Sequence, residues 1–347
     1  MQKEGRQMSV VTIHDVARRT GLSISTVSQA LNGKGRISEK TRALVRKMAD
    51  ELGYIPDSRA RSMRVSRSKA IGLLVPDVRN GYFSELVYAV QDELYINGYA
   101  TLIGVSLDDT KRQDDFFRTI LARHIDGAIV VPRNATSPIL RVVLDRGLPV
   151  VFVDRRDEGA PQIPLVDSDP EPGLEQALQS LAEHGHRKVA YIPGPDIHPP
   201  VFQERQAAFT ALSDRRRDIQ GIVVRDYGDR VDDCRRIMRS LVDQGVTAFI
   251  FGYSGDAIRA IAIVNEDSWA FRDKVALVSF DDLDLFRLVT PQVSVISQQV
   301  DRMGRLGVGV LLDLVEAGGA EGGRGVAVRP GECRRMDTVF TPRGLLS

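Results

Sequence analysis

Apolar residues recur at helical spacing in three short runs between residues 12 and 53. Residues that can cap a helix precede the runs and glycines follow them: Thr12, Ser23 and Ser38 before, Gly21, Gly33 and Gly53 after. Residues 21–23 are the whole link between the first two runs, and so short a link forces a sharp corner. The pattern predicts a small all-α helix-turn-helix domain.

The second predicted helix has an apolar face and, opposite to it, a polar face without an acidic residue. The inward residues are Val27, Ala30 and Leu31, and the outward residues are Ile24, Ser25, Ser28 and Gln29. In a DNA major groove, glutamine pairs bidentately with adenine, serine bonds a base edge or a phosphate, and an aliphatic side chain packs on a thymine methyl group. The alternative is a solvated helix face in a three-helix domain of another purpose.

From residue 70 onward, short apolar runs of strand length alternate with amphipathic stretches of helix length. The predicted strands are 71–75, 101–105, 128–131, 150–153, 189–192, 222–224, 248–251 and 275–280, and helices are predicted at 84–97, 173–184, 231–244 and 300–316. Such alternation indicates an α/β fold with parallel sheets. The segment is too long for one comfortable sheet, which predicts two doubly wound parallel-sheet lobes with a site between the strand ends.

The distribution of charge separates these two parts of the chain. Residues 1–70 contain 15 Lys and Arg against 6 Asp and Glu, a net charge of +9, whereas the remainder contains 32 against 40, a net charge of −8. A concentrated basic module is what a polyanion-binding domain requires, because it releases counterions from phosphates. The alternative is an arbitrary solvated distribution of charge.

Composition and motifs exclude several classes of protein. The 347 residues are 43% hydrophobic and 27% charged, which is typical of a globular protein, and no apolar run or leader predicts a membrane span or export. Cys234 and Cys333 lie far apart, which predicts a reducing cytoplasm and no metal site. HExxH, GxSxG and GxxxxGK[ST] motifs do not occur, and the glycine-rich segment 318–325 lacks the Lys-Ser/Thr ending. We therefore predict no catalytic residue, no cofactor and no enzyme.

The first module resembles the LacI/GalR family of bacterial transcription repressors. The resemblance rests on VTIHDVARRTGLSISTVSQALN at 11–32, ISEKTR at 37–42 and ELGYIP at 51–56. It implies a flexible tail at 1–9, a helix-turn-helix domain at 10–55 and a hinge helix or linker at 56–69. An effector-binding and dimerisation domain of periplasmic-binding-protein type follows at 70–347. Its lobe 1 is expected at about 70–168 and 294–320, its lobe 2 at about 169–290 and 326–347, with crossings near 167–171, 290–295 and 319–326.

The resemblance implies a DNA-binding surface that includes the outward face of the second helix. In the family, Ile24, Ser25 and Gln29 occupy the base-reading positions, and Met63 occupies the hinge position whose apolar side chain enters the minor groove. The alternative for the basic residues of this segment is a solvated linker; they are Arg59, Arg61, Arg64, Arg67 and Lys69. The predicted DNA-binding residues are Thr12, Ser23, Ile24, Ser25, Thr26, Ser28, Gln29, Asn32, Arg36, Arg59, Arg61 and Met63.

Polar and aromatic residues follow successive predicted strands of the second domain. Carboxylates and arginines grip vicinal hydroxyls through charge-assisted hydrogen bonds, although each residue alone is as well explained by a surface ion pair or a helix cap. Tyr253 departs from the family, which often has an amide there. The residues whose combination looks most like pentose recognition are Asn80, Asp154, Arg155, Arg205, Asp281 and Gln298. The predicted effector-binding residues are Asn80, Tyr82, Phe83, Asp154, Arg155, Arg205, Tyr253, Asp281 and Gln298.

These features together predict a cytoplasmic, sequence-specific transcriptional regulator, most simply a repressor, without a membrane partner. We expect a homodimer on a palindromic operator in double-stranded DNA, because two-fold symmetry of the protein requires matching half-sites. We expect its effector to be ribose, a ribonucleoside or another sugar. The alternatives are a cytoplasmic sugar-binding or sugar-processing protein with an incidental basic module, and a structural dimerisation module.

Overall fold

The computed structural model describes residues 11–33, 35–54, 67–133, 137–194, 200–225, 227, 231–266, 275–317 and 331–344. The predicted tail at 1–9 and residues 56–66 of the predicted hinge, with Arg59, Arg61 and Met63, lie outside the described residues. The chain divides into two compact units, residues 1–68 and 69–347.

The first unit contains the three predicted helices, α1 (Ile13–Thr20), α2 (Ile24–Leu31) and α3 (Glu39–Leu52). The predicted caps are confirmed. Asp15 Oδ2 accepts hydrogen bonds from Thr12 N at 2.9 Å and Thr12 Oγ1 at 2.7 Å, and Ser23 Oγ accepts one from Thr26 N at 3.1 Å. Gly21 ends α1 with a φ of 69°, a left-handed conformation that glycine adopts without strain. Small and β-branched side chains fill the core: Val16, Ala17, Val27, Ala30, Val45 and Ala49.

Lobe 1 of the second unit is built on a six-stranded sheet in which every described strand pair is parallel. Its strands stand in the order β11, β5, β4, β3, β1, β2. They are β1 (Ala70–Val75), β2 (Ala100–Val105), β3 (Gly127–Val130), β4 (Val150–Val153), β5 (Leu165–Asp169) and β11 (Cys333–Asp337). The helices of this lobe are α4 (Gly81–Ile96), α5 (Thr110–Ala122), α6 (Pro138–Asp145) and α12 (Val300–Ala317).

Lobe 2 is built on a second six-stranded sheet, in the order β12, β10, β9, β8, β6, β7, which is parallel except for its edge strand β12. Its strands are β6 (Lys188–Ile192), β7 (Gln220–Val223), β8 (Ala248–Phe251), β9 (Ala276–Phe280), β10 (Ser294–Ser297) and β12 (Val339–Thr341). Its helices are α7 (Glu171–Glu183), α8 (Pro200–Asp214), α9 (Val231–Asp243), α10 (Ser254–Val264) and α11 (Leu285–Leu288). Each sheet carries an apolar cluster on each face, so the predicted doubly wound arrangement is confirmed.

The predicted limits of the lobes were wrong for two strands. Residues 294–297 form β10, which pairs with β9 of lobe 2, and residues 333–337 form β11, which pairs with β5 of lobe 1. The chain therefore crosses between the lobes near 170, at 298–299 and at Thr338. The first crossing falls where it was predicted. The other two are displaced because the chain adds one more strand to the sheet of the lobe it is in before it leaves that lobe: β10 in lobe 2 and β11 in lobe 1.

Candidate functional site

The outward face of α2 is exposed in the first unit. Ile24 is 43% exposed, Ser25 and Gln29 are also exposed, and Val27 and Ala30 on the opposite face are fully buried. This arrangement follows from the helical period, which places residues four positions apart on one side. The side chains predicted to read bases are therefore available to a partner.

Other predicted DNA-binding residues form hydrogen bonds at helix ends, Thr12 at the start of α1 and the remainder on α2. The hydroxyls of Ser23 and Thr26 lie 2.8 Å apart, and Asn32 Nδ2 donates to Ser28 O at 2.7 Å. These bonds lie at the first and the last turn of α2. Arg36, in the bend before α3, is exposed.

The lobe 1 side of the cleft is built around Asp154, the residue that follows β4. Its φ is 69°, which is unusual for a residue other than glycine. The buried Tyr82 hydroxyl, from the first turn of α4, donates a hydrogen bond to Asp154 Oδ1 at 2.7 Å. Arg155 is buried, pairs with Asp108 Oδ1 at 2.8 Å, and lies 5.5 Å from the ring centre of Phe83.

The lobe 2 side is built around Asp281, the residue that follows β9, and it repeats this geometry. The φ of Asp281 is also 69°. Gln298 Nε2 donates to Asp281 Oδ1 at 2.7 Å, and Gln298 Oε1 accepts from Ser168 Oγ at 2.7 Å. The buried Arg205 donates to Gly252 O at 2.6 Å, and its guanidinium lies 4.3 Å from the ring centre of Phe280.

Electrostatic effects connect the two sides into one site. Burial raises the pKa of the Tyr82 hydroxyl, and the carboxylates of Asp154 and Asp281 raise it further. Burial also raises the pKa of Asp281 to about 6, against the opposing effects of Arg205 and Gln298. The lobes meet closely, since a Cβ on Gly81 at the start of α4 would lie 2.9 Å from the Leu283 side chain.

Asn80 and Tyr253 have structural contacts in addition to any ligand they bind. Asn80 caps α4 by accepting a hydrogen bond from Tyr82 N at 3.0 Å. The half-buried Tyr253 ring meets Phe202 edge to face at 6.0 Å, and burial raises the pKa of its hydroxyl. Seven of the nine predicted effector residues are buried around the two aspartates: Tyr82, Phe83, Asp154, Arg155, Arg205, Asp281 and Gln298.

Sequence reasoning missed three residues of this site, Asp108, Ser168 and Phe202. Ser168 lies near the end of β5, a strand that was not predicted, so a complete strand prediction would have found it. Asp108 lies in the loop after β2, a strand that was predicted, and only the fold brings it to Arg155. Phe202 lies three residues before Arg205 on α8, which places both side chains on one face of the helix. Among the described residues, no group of three or more His, Cys, Asp or Glu could hold a metal ion.

A helix-turn-helix unit followed by a two-lobe α/β unit with a polar cleft defines a class of ligand-responsive regulatory proteins. Residues 12–57 match the family described as bacterial regulatory proteins, lacI family, and residues 178–335 match a periplasmic-binding-protein-like domain. The ribose operon repressor of Bacillus subtilis (strain 168) is 31% identical over 319 residues, which cover 88% of this chain and 92% of that protein. The chain belongs to the lacI family of bacterial regulatory proteins.

A further relative agrees with this family, and a solved structure shares the fold. The transcriptional repressor PurR of Escherichia coli O139:H28 (strain E24377A / ETEC) is 28% identical over 312 residues, covering 88% of this chain and 91% of the repressor. A Lac repressor dimer bound to operator and an anti-inducer has a TM-score of 0.80 at 22% identity, with 97% of this chain and 99% of that chain covered. The predicted fold and regulatory function are confirmed over the alternative of a sugar-processing protein. A search of the described helices found none that could span a membrane.

Proposed function

We propose that this protein is a homodimeric transcriptional repressor whose two helix-turn-helix domains bind a palindromic operator under the control of an uncharged polyhydroxylated effector. Ribose or a ribonucleoside is the proposed effector. One observation carries the effector site. Asp154 and Asp281 end equivalent strands of the two lobes, have the same left-handed φ, and are both buried in the cleft.

The balance of charge in the cleft supports an uncharged ligand. Asp154 and Asp281 are matched by two buried guanidinium groups, and each of those already has a partner within the protein. Arg155 pairs with Asp108, and Arg205 donates to Gly252 O. A phosphorylated sugar brings negative charge that needs positive charge in excess, whereas hydroxyl groups donate readily to carboxylates. This arrangement favours a sugar or nucleoside over a sugar phosphate.

Effector binding is proposed to change the closure of the lobes and, through the hinge, the affinity for operator DNA. A coupling of this kind amounts to about 1 to 3 kcal/mol in typical regulators. The proposal assigns no catalysis, because the two carboxylates have a sufficient role in holding hydroxyls. An operator-binding protein works where the bacterial DNA lies, in the cytoplasm.

A thermal-shift panel tests the class of effector. Because a ligand that binds only the folded state raises the melting temperature, D-ribose or a ribonucleoside is expected to raise it, and ribose 5-phosphate is not. The Asp281→Ala chain serves as the control that should not respond. A shift produced by the phosphate alone would contradict the proposed class.

Gln29→Ala tests the reading of DNA by α2. We expect operator affinity to fall by about 1 to 3 kcal/mol and the preference at one operator position to relax, because a bidentate pair with one base is lost. Selection of binding sites from random duplexes measures both. The matched control is Arg36→Ala, which should weaken binding to all sequences and flatten the salt dependence by about one charge. An unchanged preference in Gln29→Ala would remove that residue from base reading.

A salt titration separates the regulator from the alternative with an incidental basic module. A regulator shows both a steep loss of affinity with rising salt and a large ratio of specific to random binding. An incidental basic module shows the salt dependence without the specificity.

A further inference from the structure

We infer that Arg343, in the C-terminal segment after β12, is a positioning residue that holds the effector-binding Asp281 in place through its neighbour Asp282. This inference rests on the proposed function of the cleft. It adds to the effector site a residue that lies 62 positions away in sequence.

The loop that carries Asp281 needs a restraint. A φ of 69° at a residue other than glycine is an unfavourable conformation that persists only where the surroundings enforce it. The backbone bond from Asp281 N to Ile296 O, at 3.0 Å, fixes the start of the turn. Gln298 Nε2 holds the Asp281 side chain by donating to Oδ1 at 2.7 Å, and the backbone beyond Asp281, where the chain leaves the sheet, needs a restraint of its own.

Arg343 supplies this restraint in a bidentate geometry. Its Nη1 and Nη2 donate to Oδ1 and Oδ2 of Asp282, each at 2.7 Å, and its side chain is only 13% exposed. Burial raises the pKa of the Asp282 carboxyl, but hydrogen bonds from Arg343 and then Arg287 outweigh it, so the pKa is lowered overall. The Asp282 carboxylate is therefore held charged and fixed.

Arg343 is itself anchored to the sheet. Its backbone N donates to Ser294 Oγ at 2.8 Å, and that hydroxyl donates back to Arg343 O. Ser294 begins β10, the neighbour of β9 in the sheet. Arg287 makes a single contact with Asp282 at 2.9 Å from a side chain that is 58% exposed, so it is the weaker of the two restraints.

Lobe 1 has a similar arrangement at the equivalent position, with an ion pair on the residue after the left-handed aspartate but with the charges reversed. There the residue after the left-handed aspartate is Arg155, and its ion pair with Asp108 is also largely buried. In both lobes an ion pair on the next residue accompanies the strained aspartate. This repetition favours a role at the site over a general contribution to stability.

Hydrogen exchange of the full chain tests the inference without any ligand. In Arg343→Gln, amides of residues 281–287 are expected to exchange about tenfold faster, because a charge-assisted bidentate bond is lost, while the rest of lobe 2 keeps its protection. Arg343→Lys keeps the positive charge but cannot form the bidentate pair, so the exchange rates of residues 281–287 should lie between those of wild type and Arg343→Gln. The matched control is Arg235→Gln, which removes a bidentate pair with Glu266 in the same lobe and should leave residues 281–287 unchanged.

Calorimetry with D-ribose and with adenosine supplies the second measurement. If either binds the wild type, Arg343→Gln should weaken it about tenfold and Arg235→Gln should not. If neither binds, the proposed effector class fails, and hydrogen exchange still decides the role of Arg343. Equal exchange at 281–287 in wild type and Arg343→Gln would overturn the inference, as would faster exchange spread evenly over lobe 2.

Discussion

The two lobes present an aspartate to the cleft in the same backbone conformation, but they hold it differently. Asp154 is bonded within its own lobe, by Tyr82 of α4. Asp281 is bonded to Gln298, which lies on a crossing between the lobes and is bonded in turn to Ser168 beside another crossing. Asp154 is thus held by contacts within lobe 1. Asp281 is bonded to the crossings between the lobes, which must bend when the lobes move.

The three crossings are also bonded to one another. Thr338 Oγ1 donates to Asp169 O at 2.8 Å, and Gln299 Nε2 donates to Asp337 O at 2.7 Å. Beside them, Arg335 of lobe 1 pairs with Glu204 of lobe 2 at 2.8 Å. A ligand that binds Asp281 therefore acts on all three crossings between the lobes, because they are bonded to one another. A ligand that contacts only Asp154 acts on lobe 1.

The largest expected effect separates the aspartates by their influence on DNA binding. Asp281→Ala should abolish the response of operator affinity to effector, because the effector loses a buried hydrogen bond to a carboxylate that contributes about 2 to 5 kcal/mol to its binding. The operator affinity of the effector-free protein should not change. Fluorescence anisotropy of a labelled operator measures both quantities. Asp218→Ala, in an exposed ion pair with Arg216, is the control. A normal response in Asp281→Ala would exclude Asp281 from the cleft site.

The pH dependence of stability sharpens the comparison. Because burial raises the pKa of Asp281 to about 6, the folded chain keeps a proton that the unfolded chain loses near pH 4, so its free energy of unfolding falls as the pH rises from about 4 to 6. Asp281→Asn should remove about 2 kcal/mol of this fall between pH 4.5 and pH 6.5 in urea unfolding, because the remainder lies below pH 4.5.

Asp167 provides a comparison for that experiment. Burial raises the pKa of Asp167 to about 6 as well, so the part of the fall that it causes should remain in Asp281→Asn. Effector affinity should rise through pH 6 in the wild type, since hydroxyl groups donate to the ionised carboxylate. An identical pH dependence of stability in Asp281→Asn and wild type would contradict the assignment.

The smallest expected effect concerns the hydrogen bond between Tyr82 and Asp154 in lobe 1. Tyr82→Phe removes the buried hydroxyl that donates to Asp154 and should lower the free energy of unfolding by about 1 to 2 kcal/mol. Tyr88→Phe, on the same helix but 62% exposed, should change it by less than about 0.5 kcal/mol. Equal urea midpoints for the two variants would show that Asp154 does not depend on Tyr82.

Local patterns predicted the parts of the site that depend on local geometry. The caps at Thr12, Ser23 and Ser38 follow from spacing alone, and strand β4 has the predicted bounds, with Asp154 after it. Strands β5 and β11 were missed because their sequences, LVDSD and CRRMD, are rich in polar residues, and pairing between distant segments forms them. Contacts between other segments that are distant in sequence determine the partners of Ser168, Asp108 and Arg343, which no short pattern indicates.

The proposed effector site requires a single ligand that is held by both lobes. A crystal structure with the tightest-binding compound of the sugar and nucleoside panel tests this directly. We predict ligand hydroxyl oxygens at about 2.5 to 3.0 Å from carboxylate oxygens of both Asp154 and Asp281. A ligand bound outside the cleft, or one that contacts the aspartate of only one lobe, would contradict the account.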